Sequence, residues 1–380
     1  MATVGLNMIV KNEAHVIRRC LDSVWHLLDY YVIVDTGSTD GTQQIIRDYF
    51  AEKNIQGEVI DYPFTDFADC RNVALRAIDG KTNFMVWIDA DEILETGYGH
   101  NDKRFKDELA DFDFCYIDCI KDGFKSRNIH FINLKNKWRW HGYVHEYLHV
   151  PFCDMGKLKA TTMEGCTTVY GNDGASWKGD KWEKIEKYIS LLERQHEKEP
   201  REGRWLYYIG NTYRALESES GIRSAIECFE KRVALYKGGN DSEAYASKLL
   251  ALCLQQQIGY VITAEQFDNC RIFDSGNNRA EHIMYANDLY GKAKEYSKAY
   301  QLTLQAVKKF MRVPEGSNVN PSVYTFSVAH IHAINCFYTN RGKEGLEILD
   351  KLLNSIKVGT SVSLVPLSEL ERLKGALLAI

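Results

Sequence analysis

Two short acidic signatures hold the residues of this chain best suited to chemistry: Val34-Asp35-Thr36-Gly37-Ser38-Thr39-Asp40-Gly41-Thr42 and Trp87-Ile88-Asp89-Ala90-Asp91-Glu92. Each follows an apolar run, Tyr31 to Val34 and Phe84 to Ile88, of the β-branched and aromatic kind that forms buried strands. Both runs therefore deliver carboxylates at their C-terminal ends, the edge of an open α/β sheet at which ligands bind. Asp89 and Asp91, one residue apart on an extended segment, can turn two hard oxygen ligands toward one divalent cation, which in turn would neutralise a diphosphate. Neither signature is specific by itself. Ser, Thr and Asp after a Gly-rich turn also make an ordinary helix cap, and acidic residues are favoured in any first helical turn. The order along the chain is more specific: Asn7-Met8-Ile9-Val10-Lys11-Asn12-Glu13, the Asp35 signature, Phe67-Ala68-Asp69-Cys70-Arg71-Asn72, then Asp89-Ala90-Asp91.

With these four ordered motifs, residues 5–175 resemble an inverting family 2 glycosyltransferase of the GT-A fold. The resemblance implies that Val10, Asn12 and Glu13 border the nucleoside, that Asp35 reads the uracil or other base, and that Arg71 faces the nucleotide. Asp89, Ala90 and Asp91 line the nucleotide sugar, with Asp89 and Asp91 carrying Mn²⁺ or Mg²⁺. Family 2 enzymes often add a histidine ligand after a later strand. The corresponding stretch here, Thr167 to Gly174, has none, which leaves His145, Asn172 or water for the third position.

A second constellation, Trp138-Arg139-Trp140-His141-Gly142-Tyr143-Val144-His145-Glu146-Tyr147-Leu148-His149, contains H-E-x-x-H. That zinc-protease pattern works only on a helix, where histidines four apart share a face. Gly142 upstream, Val150-Pro151 downstream and the β-favouring Tyr143, Val144, Tyr147 and Val150 predict a strand or irregular segment instead. Relatives that join this domain to helical repeats carry a similar aromatic run ending in Val-His-Glu. On that resemblance the segment is the acceptor side of the site. Glu146 is the candidate general base for an attacking hydroxyl, with Asp173 and Asp118 the next carboxylates. His145 holds the diphosphate or approaches the metal, Trp138 or Trp140 stacks on a sugar face, and His141 stands beside them.

Length and composition frame these motifs. The chain has 380 residues, more than one core usually supports, with 45% hydrophobic and 26% charged residues, the balance of an ordinary soluble two-domain protein. No apolar run approaches the roughly 18 residues of a membrane span, and Met1 to Gly5 leads straight into the first strand, so a cytoplasmic protein is expected. Ten cysteines without a CxxC predict reduced, mostly buried thiols. A net charge of −5 gives no global attraction to nucleic acid or anionic membrane. One local basic stretch, Lys121, Lys125, Arg127, Lys135, Lys137 and Arg139, interleaves with Phe124, Phe131 and Trp138. It is read first as a solvated face with packed aromatics and second as a nucleic-acid contact.

Beyond residue 176 only helical periodicity remains. Trp182, Ile185, Tyr188, Ile189 and Leu192 recur at the helical period before Pro200. Leu206, Ile209, Gly210, Tyr213, Ala225 and Phe229 follow tetratricopeptide spacing, given a loop around Glu217 to Gly221. Ala286, Asn287, Tyr290, Tyr296, Ala299 and Ala306 repeat it, Val323 to Leu353 repeats it more weakly with Gly342 in the turn, and Tyr245 to Gln257 supplies a helix between. A period of about 34 to 40 residues indicates a helical solenoid. The expectation is thus a GT-A domain with a mixed, mostly parallel sheet over residues 1–175 and an all-α tetratricopeptide-like domain over 176–380. Its partners would be a UDP-sugar donor and an acceptor polypeptide, glycan or modified DNA base, with a homodimer possible through the repeats. A non-catalytic scaffold with a degenerate nucleotide-sugar fold is the alternative of another class, and the intact Asp35, Asp89, Asp91 and Glu146 argue against it.

Overall fold

The computed structural model describes residues 2–100, 102–121, 124–171, 173–175, 180–276, 278–314 and 319–380. It divides into two compact units, Met1–Lys198 and Glu199–Ile380. The strands of the first are β1 (Val4–Val10), β2 (Tyr30–Asp35), β3 (Gln56–Asp61), β4 (Phe84–Trp87), β5 (Glu92–Thr96), β6 (Phe114–Lys121), β7 (Phe124–Asn133), β8 (Arg139–His141), β9 (Tyr147–His149) and β10 (Ala160–Tyr170). Its helices are α1 (Ile17–Val24), α2 (Thr42–Glu52), α3 (Phe67–Ile78), α4 (Lys103–Ala110) and α5 (Lys181–Lys198).

Eight strands form one mixed sheet in the order β3-β2-β1-β4-β7-β6-β10-β5, and β8 with β9 makes a separate two-stranded ribbon. The first four strands run parallel. β7 is antiparallel to β4 and β6, and β5 is antiparallel to β10. Central parallel strands are covered on both faces, which is why β1 and β2 read as continuous apolar runs rather than alternating ones. The pleat still sorts their side chains. Tyr31 and Ile33 enter one core with Leu6, Met8, Cys20 and Phe50, whereas Val32 and Val34 enter the other with Ala74, Met85, Ile132 and Trp138. The in-step register Val10↔Asp35↔Asp61 then places three strand ends in a row.

The first unit continues past the expected limit at residue 175 and includes α5. Tyr188 of α5 meets Phe67 edge to face at 5.9 Å. Lys187 lies over Phe64, Arg194 over Tyr143, and the Lys198 ammonium donates to the Tyr143 hydroxyl. The basic stretch near β7 belongs to the packed and ion-paired surface. Phe131 and Trp138 are buried, and Arg127, Lys135 and Lys137 pair with Asp118, Asp113 and Asp79. No exposed stacking platform is formed by those two rings. The side chains of Lys121, Phe124 and Lys125 lie outside the described residues.

The second unit is all-α: α6 (Gly203–Arg214), α7 (Glu219–Ala234), α8 (Ser242–Gln257), α9 (Ala264–Asp268), α10 (Glu281–Lys292), α11 (Tyr296–Val307), α12 (Val328–Tyr338), α13 (Gly342–Lys357) and α14 (Leu367–Leu378). Small residues stand where paired helices touch. A Cβ on Gly210 would lie 2.6 Å from the Phe229 ring, and Ala225, Ala286, Ala299 and Ala306 are fully buried. All ten cysteines are free thiols, most of them buried. Among the described residues no helix is long and apolar enough to cross a membrane.

One buried ring joins β4 to β7. His130 stacks on Trp87 at 4.5 Å, its Nδ1 faces the Trp87 carbonyl at 2.8 Å, and burial pushes its pKa down to about 4. A histidine kept neutral in this way contributes stability that is complete above its unfolded value and is lost as pH falls from about 6.5 toward 4. Over that window the wild-type chain is expected to lose about 3 kcal/mol more than His130→Gln. Urea unfolding followed by tryptophan fluorescence measures this, since every tryptophan but Trp205 lies within residues 1–198. Equal slopes for the two proteins would refute it.

Candidate active site

The loops after β1 and β2 interlock to form one wall of the site. Asp35 ends β2 buried, and one of its oxygens accepts from the Gly37 and Ser38 amides at 2.9 and 2.8 Å and from Gln43 at 3.0 Å. Burial opposes its charge, but the Ser38 hydroxyl and amide, Gln43 and the Gly37 amide offset it and hold the carboxyl below its ordinary range. The other oxygen, Oδ2, is buried with no hydrogen-bond partner among the described residues. A buried charged acceptor without a partner calls for a donor N–H. Asn12, held at φ 57°, donates its amide to Ser38 Oγ at 2.8 Å and accepts from the Thr39 amide at 2.8 Å. The Glu13 amide donates to Thr42 Oγ1, and its carboxylate accepts from the Ala175 amide at 3.0 Å. Val10 and Ala90 are 3% and 5% exposed. Val10 thus borders the site through its backbone, its carbonyl accepting from the amide and hydroxyl of Thr36, and not through its side chain.

Beyond β4 the carboxylates crowd together. The Asp89 amide donates to Glu92 at 2.8 Å, and the Asp91 carbonyl accepts from the Gly171 amide at 2.7 Å. Burial and then the charge of Asp89 push the Glu92 carboxyl up to about 8. Burial likewise raises Glu13, with the fields of Asp91 and Asp89 adding to it against the Ala175 amide. Gly174 keeps open the space beside Asp91, since a Cβ there would lie 3.0 Å from Asp91 Oδ2. Crowded hard oxygens with space beside them fit a divalent cation such as Mn²⁺ or Mg²⁺. Asp89 and Asp91 would hold it.

Arg71 organises the opposite side. Its Nε donates to Glu146 Oε1 and a terminal nitrogen to Asp89 Oδ1, both at 2.8 Å. The guanidinium lies 4.9 Å from the centroids of Trp87 and Trp140, two rings that meet edge to face. Burial alone would lower its pKa, yet Asp89 and Glu146 raise it further. Its neighbour Asn72 clamps the Trp140 backbone in both directions, at 2.8 and 3.0 Å, and the Phe67 amide donates to the Tyr143 carbonyl. The start of α3 therefore fixes the whole segment that carries Glu146.

Several expectations from the sequence need correction. Arg71 is 6% exposed and committed to Glu146 and Asp89, so it positions these carboxylates. Trp138 and Trp140 are 4% and 5% exposed, which leaves neither face open to a sugar. Trp138 instead donates to the Asn133 carbonyl and Trp140 covers Arg71. Asp173 is held by Arg19 in two bonds of 2.7 Å, which keep its carboxyl below the usual range and make it a weak base. Asp118 faces Arg127 across β6 and β7. His145 is exposed at φ 56°, while His141 and His149 face each other across the ribbon at 5.7 Å. Because Tyr147–His149 is a strand, the one-turn separation that lets H-E-x-x-H share a zinc is absent, as the flanking residues predict. Asn172 lies outside the described residues.

Sequence reasoning missed three contributors. Asn72 and Trp87 gave no signal beyond their place in the motifs. Tyr188 falls in the stretch read as repeats, yet it packs on Phe67 of the first unit, and burial and then the charges of Glu146 and Asp89 push its hydroxyl up to about 12.

A mixed, mostly parallel sheet with acidic residues gathered at its strand ends is the architecture of a GT-A domain. Residues 7–100 match the family described as Glycosyl transferase family 2. The SPbeta prophage-derived glycosyltransferase SunS of Bacillus subtilis (strain 168) is 27% identical over 274 residues, 68% of this chain and 60% of that protein. A TPR repeat-containing protein of Synechococcus elongatus is 39% identical over 94 residues, 25% of this chain and 22% of that protein. The structure of S. aureus TarS 1-349 in complex with UDP-GlcNAc covers 84% of this chain and 96% of its own at 11% identity and TM-score 0.35, too distant to carry an argument. The chain thus spans about three fifths of the SunS length. It carries a family 2 glycosyltransferase domain of the GT-A fold, followed by a tetratricopeptide-like helical unit.

Removing the guanidinium tests its organising role. Arg71→Met leaves Glu146 unpaired at 13% exposure, and loss of one partner of a buried pair costs roughly 3–5 kcal/mol. Asp89 is 38% exposed and regains water, so a loss near the lower end, about 3 kcal/mol, is expected. Urea unfolding checks it, and a loss under about 1 kcal/mol, the range of surface ion pairs, would show that the bridge is dispensable.

Proposed function

We propose that this chain is a metal-dependent inverting glycosyltransferase that moves a sugar from a UDP-sugar to a nucleophile on an acceptor. The observation that carries this reading is the Arg71 bridge, which holds Glu146 and Asp89 on one guanidinium. The candidate base and a candidate metal ligand are thereby kept at one place.

Asp35 Oδ2 accepts the N–H of the nucleobase, and the Asn12 and Glu13 loop packs beside the nucleoside. Asp89 and Asp91 would hold Mn²⁺ or Mg²⁺, which when bound would supply positive charge against that of the leaving diphosphate. With Oε1 held by Arg71, Glu146 keeps Oε2 for the proton of the acceptor hydroxyl. The hydroxyl oxygen forms the new bond to the anomeric carbon from the side opposite the departing diphosphate, so the configuration inverts. A polypeptide is the first acceptor to test, with glycan and a modified DNA base behind it.

Calorimetry with UDP is expected to show binding that requires Mn²⁺ or Mg²⁺ and is lost in Asp91→Asn with the fold retained by circular dichroism. UDP binding indifferent to EDTA would refute the metal assignment. In a donor hydrolysis or transfer assay Glu146→Gln is expected to lower turnover about 10²- to 10⁴-fold with UDP affinity nearly unchanged. If that variant instead loses UDP or metal binding and keeps its turnover at saturation, Glu146 organises the metal side and the base is another group.

A further inference from the structure

The second unit brings a nitrogen, a sulfur and an oxygen donor to one point, away from every residue assigned above. His332 and Cys336 stand four apart on α12, so their side chains leave the same face, and Glu344 reaches them from the first turn of α13. One ligand atom of each lies within 4.8 Å of the others, and His332 Nε2 is 3.1 Å from Glu344 Oε1. His332 and Cys336 are buried, at 1% and 0% exposure, whereas the Glu344 side chain is 37% exposed and gives an ion a way in.

Hydrogen bonding around His332 is compatible with a cation. The Thr303 hydroxyl has the Ala299 carbonyl as an acceptor at 3.0 Å, and its oxygen receives the Asn335 amide at 3.1 Å. That oxygen also lies 3.1 Å from His332 Nδ1. With the ring proton on Nε2 the ring donates to Glu344; with it on Nδ1 the ring donates to Thr303, and Nε2 presents a lone pair to an ion beside Glu344 and Cys336. Binding a divalent cation thus needs only the change of tautomer at His332.

We propose that His332 Nε2, Cys336 Sγ and a Glu344 carboxylate oxygen bind Zn²⁺, with water as the fourth ligand. Cys336 binds as thiolate and releases its proton to solvent. Zinc bond lengths place a tetrahedral sulfur about 3.5 Å from a nitrogen or oxygen ligand, so the longest separation in the cluster, at most 4.8 Å, needs to contract by up to about 1.3 Å. The mixed nitrogen, sulfur and oxygen set selects zinc over the hard Mn²⁺ or Mg²⁺ that suits Asp89 and Asp91. Thr303 orients the histidine from outside, and the Tyr300 hydroxyl donates to the other Glu344 oxygen at 2.9 Å. The ion pins α12 to α13, and through Tyr300 and Thr303 to α11.

The test is to strip the full chain with EDTA and titrate it with Co²⁺, which reports a bound thiolate by sulfur-to-cobalt charge-transfer absorption. One such ion per chain, displaced by Zn²⁺, is expected. Cys336→Ser should abolish the band and Asp91→Asn should leave it unchanged. Glu344→Gln should weaken Co²⁺ binding by at least the roughly tenfold that loss of even an outer-shell partner costs. Absence of the band in the wild-type chain, or its survival in Cys336→Ser, would overturn the site. If Cys336→Ser does not fold by circular dichroism, Glu344→Gln decides, and unchanged Co²⁺ affinity there overturns it.

Discussion

The geometry of the candidate site depends on one buried guanidinium. Arg71 is enclosed by Trp87 and Trp140, where a cation without anions would be intolerable. It is satisfied by Asp89 from the end of β4 and by Glu146 from the segment between β8 and β9. Those two carboxylates come from parts of the chain with no local reason to meet. The arginine therefore does more than neutralise them. It fixes which oxygen of each remains free, and the Asn72 clamp on the Trp140 backbone keeps the ribbon from sliding along α3.

Around this bridge the first unit accumulates negative charge that its own cations do not balance. Glu13 and Glu92 both rise in pKa, burial being the larger cause and the neighbouring aspartates the next. Arg71 is committed to two partners and Arg19 to Asp173. A fold that only needed stability would not gather acids at a strand edge in this way. The same edge holds Asp35 with one oxygen fully donated to and the other open. The parallel register aligns the strand ends and so brings these acids to one edge.

The helical unit solves a different problem. Its helices approach closely where glycine or alanine replaces a bulky residue, as Gly210 does against Phe229 and Gly345 against Leu377 and Cys336. Close approach leaves little room for water, so polar side chains caught between helices bond to each other. Tyr245, His282, Glu281 and Tyr324 form one such group. His332, Thr303, Asn335 and Glu344 form another.

Much was legible in the sequence because it is local. The strands that lead to Asp35 and Asp89, the switch to helical periodicity and the non-helical character of the H-E-x-x-H segment all follow from residue types within a few positions of one another. So do the mostly parallel sheet, whose central strands must be apolar throughout, and the small residues of the repeats. What only the tertiary structure decided are the long-range pairings. Arg71 turned inward, Trp138 and Trp140 became packing rather than a sugar platform, and Asp173 was taken by Arg19. Helix α5 joined the first unit and brought Tyr188 against Phe67. Sequence pattern encodes which face of an element is apolar, and that suffices for elements and their order. It does not encode which buried charge meets which across 75 residues, as Arg71 and Glu146 do, because that choice is made by desolvation once the core has closed.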